Sequence, residues 1–598
     1  MRLKLTAAVL AGLLLAACDS AQEPATDGRE VAPELDVRIT EHRDGDDLLT
    51  AGLGLEGMAG MPPQPADPAA PTPDELRRMA IHKSWTGIQS FTPAGGLGGL
   101  LEELPTVPGR EFQAFVTLAD AAHPVRVLLQ LPDDFDADSP CLVVAPASGS
   151  RGVYGAIALA GPWALPAGCA VAYTDKGAGT DFYDYSTETG VALDGTRVAG
   201  RQDNALGFQV ETRSDDADEA TVALKHAHSG DHPEADWGRH VLRAAEFGLR
   251  VLSDELDGEF SAENTRVIAA GLSNGGGAVL RAAEQDGDGL LDAVVAVSPN
   301  VTAPDAPPLY DYATAAALYQ PCLLANLDAV DDMPLGNPTQ AAMGEVRCAS
   351  LVRADLLDEA GSETARARLE ALGFEAAALR QSAVNVALDL WRTVAASYAS
   401  AYLQRGPFDM PCGFAYSAPG ATAAQRNGWW ALHSGIGAGA GIVLTDSGEE
   451  SQDKQLPALR CLRHLWTGKG SEARRLHEAV EATRASARLP GDAPVIVIHG
   501  ADDGLIPPAF SSRPWVEQAR ENGGNLTYWE VEKAQHFDVL LGAPGVAGRY
   551  VPLLPYGWRA LDSVNEILDG SGQPGDDRII DPDPAPVGEP LRWEDLGL

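Results

Sequence analysis

Two kinds of apolar pattern alternate along the chain. Short runs of valine, isoleucine, leucine and alanine at 125–131, 142–145, 170–173, 266–270, 293–297 and 494–498 are apolar at nearly every position. Runs of this length predict strands covered on both faces, as in a parallel sheet. The segment 526–531 (Leu-Thr-Tyr-Trp-Glu-Val) alternates instead, as a strand with one wetter face does. Helical periodicity at 237–256, 276–284 and 558–568 supplies crossovers between strands. After Val297 the pattern changes: from about 301 to 490 the chain is rich in Ala, Leu and Arg at helical spacing, clearest over 363–403 and 471–489. The expected fold is α/β, with a mostly parallel sheet interrupted by a large, mainly helical insertion.

The junctions between these segments carry the chemistry. Gly271-Leu272-Ser273-Asn274-Gly275 lies between the strand at 266–270 and the helix at 276–284, the strand, sharp turn and helix of a nucleophile elbow. With 63 glycines in 598 residues, roughly 0.3 chance matches to this pattern are expected, so context must carry the assignment. An α/β-hydrolase fold then requires an acid and a histidine, in that order, after later strands. The strand at 494–498 runs into His499-Gly500-Ala501-Asp502-Asp503-Gly504, and the strand at 526–531 is followed by Ala534-Gln535-His536-Phe537-Asp538. Ser273, Asp503 and His536 are therefore the candidate triad, with Asp502 in reserve as the acid. A serine hydroxyl is a weak nucleophile near neutral pH; a histidine takes its proton, and the acid orients and charges that histidine. The backbone N–H of Asn274 is one candidate oxyanion donor, and Gly149 or Ser150, in the small-residue turn after the strand at 142–145, supplies the second. The insertion separating Ser273 from Asp503 is expected over the active-site face as a cap, where Trp391, Tyr398, Phe414, Tyr416, Trp429 and Trp430 either line an acyl pocket or form the cap's own core.

Longer stretches resemble the D-(-)-3-hydroxybutyrate oligomer hydrolase family. They include Asp47-Leu48-Leu49-Thr50-Ala51-Gly52, Ser148-Gly149-Ser150-Arg151-Gly152-Val153-Tyr154, Ala172-Tyr173-Thr174-Asp175-Lys176-Gly177, Lys225-His226-Ala227-His228-Ser229 and Ala534-Gln535-His536-Phe537-Asp538, spread from about residue 45 to about 570. The resemblance implies a serine esterase that cleaves short (R)-3-hydroxybutyrate oligomers, with Ser273 as nucleophile and no cofactor. Another capped carboxylesterase, of feruloyl esterase or tannase type, and a non-catalytic envelope lipoprotein that binds a small ligand are the alternatives.

Charge and targeting refine this picture. The formal net charge of −41 argues against nucleic acid as a partner, and it repels anionic substrates at long range. An oligomer with a terminal carboxylate then needs a local cation, for which Arg151 and Lys176 are the candidates nearest the site loops; Arg281 and Arg513 are further ones. Arg2, Lys4, an apolar stretch and Leu15-Ala16-Ala17-Cys18 read as an export signal ending in a lipobox, with Cys18 as the acylated residue. The expected location is the cell envelope on the periplasmic side, or outside the cell, and any membrane contact is through lipid at Cys18. Export permits disulfides among Cys141, Cys169, Cys322, Cys348, Cys412 and Cys461, whose 15 pairings the sequence leaves open, although Cys141 and Cys169 precede consecutive strands and Cys322 and Cys348 are close in sequence. No metal is expected: His226, His228 and His232 cluster but lack a second ligand group at a defined spacing. The expected organisation is a signal peptide (1–18), an N-terminal leader or wrap (19–109), a hydrolase core in two parts (110–300 and 491–570) around the cap (301–490), and an acidic, Pro-rich tail (571–598).

Overall fold

A ten-stranded sheet organises the molecule. The computed structural model describes residues 35–199, 206–210, 220–331, 333–437, 439–448, 452–573 and 575–598; residues 1–18, read above as an export signal ending at Cys18, lie outside them. In chain order the strands are β1 (Arg38–His42), β2 (Gly109–Val116), β3 (Val125–Pro132), β4 (Cys141–Pro146), β5 (Ala170–Thr174), β6 (Arg266–Leu272), β7 (Ala293–Val297), β8 (Val495–Gly500), β9 (Leu526–Val531) and β10 (Arg578–Ile580). Side by side they run β1-β2-β3-β5-β4-β6-β7-β8-β9-β10. The seven from β5 onward in that row are parallel, and β1, β2 and β3 pair antiparallel.

Every residue of β3, β4, β5, β7 and β8 is buried, because helices cover both faces. The helix Pro233–Glu255 brings Gly248 against Leu142 and Ala172, while Ile157–Ala164 brings Gly161 against Tyr173, the next residue and hence the opposite face. Asn274–Gln285 packs beside the first helix and Leu554–Leu568 beside the second. Cys141 and Cys169, each preceding a register pair of β4 and β5, form a disulfide.

The cap is mainly helical and includes the helices Leu309–Leu323, Pro338–Arg353, Leu390–Tyr402 and Leu456–Thr467. Disulfides Cys322–Cys348 and Cys412–Cys461 staple it. It meets the loops at the C-terminal ends of the parallel strands: Asn385 Nδ2 donates to Gly504 O (2.9 Å) and Gln381 Nε2 to the Tyr550 hydroxyl (2.9 Å). The structure groups Asp36–Leu598 as one compact unit, so the cap shares its core with the sheet. No helix of the described residues is long and apolar enough to cross a membrane.

Five features depart from the expected boundaries. The segment read as a leader contains the edge strand β1 and the helix Pro73–Thr86, whose Thr72/Glu75 capping box starts a face burying Leu76, Ile81 and Trp85. The tail contributes β10, parallel to β9. A four-stranded antiparallel sheet of three-residue strands (Phe182–Asp184, Thr189–Val191, Arg197–Ala199, Val222–Leu224) is too short in each strand to show a period. The cap holds a hairpin, Phe414–Ser417 with Val443–Asp446. The helical run at 363–403 is broken, where Gly373 (φ +101°) and Asp389 (φ +48°) take left-handed conformations.

Candidate active site

Ser273 sits at the hinge between β6 and the helix Asn274–Gln285 with φ +58° and ψ −121°, a conformation that costs a non-glycine residue about 1–3 kcal/mol. The turn is held from both sides: Ser273 N–H donates to Val297 O (2.9 Å), and its carbonyl accepts from Gly277 (3.0 Å) and Asn300 (2.9 Å). The surrounding glycines are required by space. A Cβ on Gly271 would lie 2.1 Å from Gly275 O, one on Gly275 2.5 Å from Pro146 O, and one on Gly277 1.9 Å from Asn300 O.

The loops after β8 and β9 bring the other two residues to the same point. His536 Nε2 is 3.0 Å from Ser273 Oγ, and its Nδ1 is 2.6 Å from Asp503 Oδ2. The other oxygen of Asp503 accepts the backbone N–H groups of Leu505 (2.9 Å) and Ile506 (2.7 Å). Burial alone would raise the pKa of this enclosed carboxyl, but His536 and His499 outweigh it and hold the group well below the usual carboxylate range. Asp502 points the other way, to Arg380 of the cap, whose Nε lies 3.0 Å from Oδ1. Of the two adjacent aspartates, Asp503 is the one in contact with His536.

Ser273, Asn274 and His536 open onto a cavity of about 280 Å³, roofed by Leu390, Val394 and Tyr398 of one cap helix and walled by Ser148 to Arg151. The backbone N–H groups of Asn274, Gly149 and Ser150 have no acceptor among the described residues, and Gly149 makes the turn possible with φ +53°. The arrangement offers a nucleophile, a base, an oriented acid and unclaimed donors, which together suit acyl transfer.

The cation candidates separate. Arg151 lines the cavity, donates to Gly87 O (2.5 Å) and has no carboxylate partner among the described residues; burial pulls its pKa down to about 10, still charged at neutral pH. Lys176 does not line the cavity, which corrects its expected role. Its ammonium is fully enclosed behind the turn, donates to Gly149 O (2.5 Å) and stands 5.5 Å from the Trp237 ring, and burial pushes its pKa down to about 7. It braces the turn at Gly149 from behind rather than lining the cavity. Arg281 pairs with Glu284, and Arg513 with Glu375 and Glu530.

Of the cap aromatics only Tyr398 lines this cavity, where its hydroxyl accepts from Asn274 Nδ2 (3.2 Å); the other five are buried elsewhere in the cap. The histidine cluster is committed to protein partners: His226 to Ser150 and Glu234, His228 to Leu224 N, and His232 to Ala479 O. Among the described residues no group of three His, Cys, Asp or Glu side chains is placed to hold a metal. Glu234 has no sequence signal of its own: it precedes the helix expected over 237–256, and only the structure, where the helix starts at Pro233, puts it in the first turn.

The profile of the family described as 3HB-oligomer hydrolase matches residues 14–577. The chain belongs to this family. This 3HB-oligomer hydrolase family member is therefore an ester hydrolase. It is 35% identical to the D-(-)-3-hydroxybutyrate oligomer hydrolase of Paracidovorax citrulli over 602 residues, covering 87% of this chain and 84% of that one. The protein of the same description from Albidiferax ferrireducens is 35% identical over 645 residues, covering 94% and 90%. Among solved structures, the family member is similar to tannin acyl hydrolase from Aspergillus niger (13% identity, TM-score 0.37, 83% of this chain and 86% of that one). Feruloyl esterase B from Aspergillus oryzae is another such neighbour (12% identity, TM-score 0.36, 78% and 82%).

Proposed function

We propose that the protein is an exported serine esterase that hydrolyses (R)-3-hydroxybutyrate dimers and short oligomers to monomers through a hydroxybutyryl-Ser273 intermediate. The observation that carries this reading is the unbroken hydrogen-bonded line Ser273–His536–Asp503 at a cap-covered cavity bordered by unclaimed amides. Ser273 Oγ attacks the ester carbonyl as His536 Nε2 takes its proton, the amides of Asn274, Gly149 and Ser150 receive the developing oxyanion, and the C–O bond breaks as His536 returns the proton to the leaving alcohol. Water then repeats the sequence on the acyl-serine and releases the acid. The relatives' activity on hydroxybutyrate oligomers supports the substrate class.

Arg151 binds the oligomer's terminal carboxylate in this scheme, since it is the cavity-lining cation without a carboxylate partner. Three disulfides favour an oxidising compartment, in keeping with export and a lipid anchor on Cys18. The test is monomer release from (R)-3-hydroxybutyrate dimer and trimer by the parent, Ser273→Ala and Arg151→Gln. The reading expects no release by Ser273→Ala, and a raised KM for the dimer but not for p-nitrophenyl butyrate in Arg151→Gln. A parent that cleaves the p-nitrophenyl ester and leaves the dimer intact would remove the substrate assignment.

A further inference from the structure

One buried hydrogen-bonded chain beside the cavity has no part in the mechanism above. Ser150, on the oxyanion turn, places Oγ 2.6 Å from His226 Nδ1, and Nε2 of the same imidazole is bound to Glu234. All three side chains are at most 3% exposed, and Ser150 lines the same cavity as Ser273. The Tyr398 ring packs edge-on against His226, closing the imidazole off from that side.

The direction of these hydrogen bonds follows from the cost of burying charge. An enclosed carboxylate needs a cation, a proton or several hydrogen-bond donors in contact with it; Asp503 takes two backbone N–H groups on its free oxygen, whereas Glu234 Oε2 has no hydrogen-bond partner among the described residues. Glu234 makes no hydrogen bond to lysine or arginine among the described residues, although the buried Lys176 ammonium acts on it electrostatically from further off; its ion-pair contacts are His226 and, at 3.7 Å, His232. An imidazolium that donates Nε2–H to Glu234 Oε1 would make that pair neutral overall and carry its second ring hydrogen on Nδ1. Nδ1–H then donates to Ser150 Oγ and occupies its acceptor side. The Ser150 hydroxyl has no other partner among the described residues, so its own proton is left for the cavity.

We infer that the Ser150 hydroxyl is an additional oxyanion donor, acting beside the amides of Asn274 and of the turn, and that His226 and Glu234 are positioning residues that keep it donating outward. The inference rests on the acyl-Ser273 reading and adds a side-chain donor to it. Bare imidazole at Nδ1 would instead capture the Ser150 proton and turn the hydroxyl's lone pairs toward the oxyanion.

The experiment measures kcat and KM on p-nitrophenyl butyrate for the parent, Ser150→Ala, Glu234→Gln and the double variant. Active sites are counted by a fluorophosphonate, and folding is checked by thermal melting. Ser150→Ala is expected to lower kcat by roughly 10- to 100-fold with KM within about twofold, the loss of one hydrogen bond to a charged group made in the transition state. Glu234→Gln is expected to lower kcat in the same way, and the double variant to be no worse than Ser150→Ala, because the dyad acts through that hydroxyl. A Ser150→Ala protein with parental kcat, a Glu234→Gln protein indistinguishable from the parent, or multiplicative losses would overturn the inference. So would a phosphonate adduct on Ser150 in Ser273→Ala protein, which would make Ser150 a nucleophile. Ser273→Ala separates the two levels: if it is inactive while Ser150→Ala is parental, only this inference falls, and if it retains activity the acyl-Ser273 reading falls.

Discussion

Replacing Asp538 by asparagine should stabilise the protein, increasingly so as the pH rises. Asp538 lies two residues past His536 and fastens that loop: its Oδ2 accepts Gln89 Nε2 (2.9 Å) and Leu553 N–H (2.8 Å), while Oδ1 is buried without a partner. Burial pushes its pKa up to about 7, against the two hydrogen bonds and His536, which pull it down. The unfolded chain releases the same proton near pH ~3.9. Between these values the folded state holds a proton that the unfolded state has lost, so stability is fully present below about pH 4, declines as pH rises, and levels off above about 7. About three pKa units at 1.36 kcal/mol each correspond to a loss of roughly 4 kcal/mol at pH 8 relative to pH 4. Asparagine keeps the acceptor for Gln89 and Leu553 and cannot ionise. Urea unfolding of parent and Asp538→Asn from pH 4 to pH 8 should therefore show a stability difference near zero at the acid end that grows to roughly 4 kcal/mol. A difference that stays constant with pH, or an Asp538→Asn protein less stable than the parent at pH 8, would refute the argument.

Three further outcomes test other parts of the site. Gly275→Ala drives a methyl into Pro146 O and should cost at least ~10²-fold in kcat/KM through a displaced elbow, whereas Gly149→Ala, whose Cβ meets open space at positive φ, should cost only about 1–2 kcal/mol of strain in a melting measurement and leave most activity. Asp503→Asn should lower kcat by roughly 10³- to 10⁴-fold while Asp502→Asn, which gives up its charge opposite Arg380 but keeps an acceptor for it, stays within a few-fold; equal losses would show that the acid has been misassigned. Lys176→Met keeps the packing over Trp237 and removes the donor to Gly149 O, so kcat should fall by about tenfold at constant KM in steady-state assays on p-nitrophenyl butyrate.

The residues with strong local constraints were the ones readable in the sequence. Ser273 announced itself because the elbow excludes side chains at Gly271 and Gly275, and the fully buried strands β4, β5, β7 and β8 left continuous apolar runs. His536 and Asp503 followed from their places after the last strands, whereas the partner of Asp502, Arg380, is 122 positions away in the chain and gave no signal. Edge strands gave weaker signals: β1 (Arg-Ile-Thr-Glu-His) and β10 (Arg-Ile-Ile) are short and partly exposed, and their order comes from pairing with β2 and β9. Lys176 misled because nearness in sequence to a site loop does not say which side of the loop a side chain takes; its ammonium went behind the turn, to Gly149 O. The Ser150–His226–Glu234 chain joins a loop to a helix start 76 and more residues later, a relation that periodicity does not encode.

In the proposed mechanism Ser273 carries the acyl group during turnover. Acid quenching of the enzyme during hydrolysis of (R)-3-hydroxybutyrate dimer, followed by proteolysis and mass spectrometry, should trap it there. A hydroxybutyryl group is expected on the peptide containing Ser273, absent when Ser273→Ala is treated alike. A dimer turned over at full rate with no adduct on that peptide, or an adduct on another residue, would contradict it.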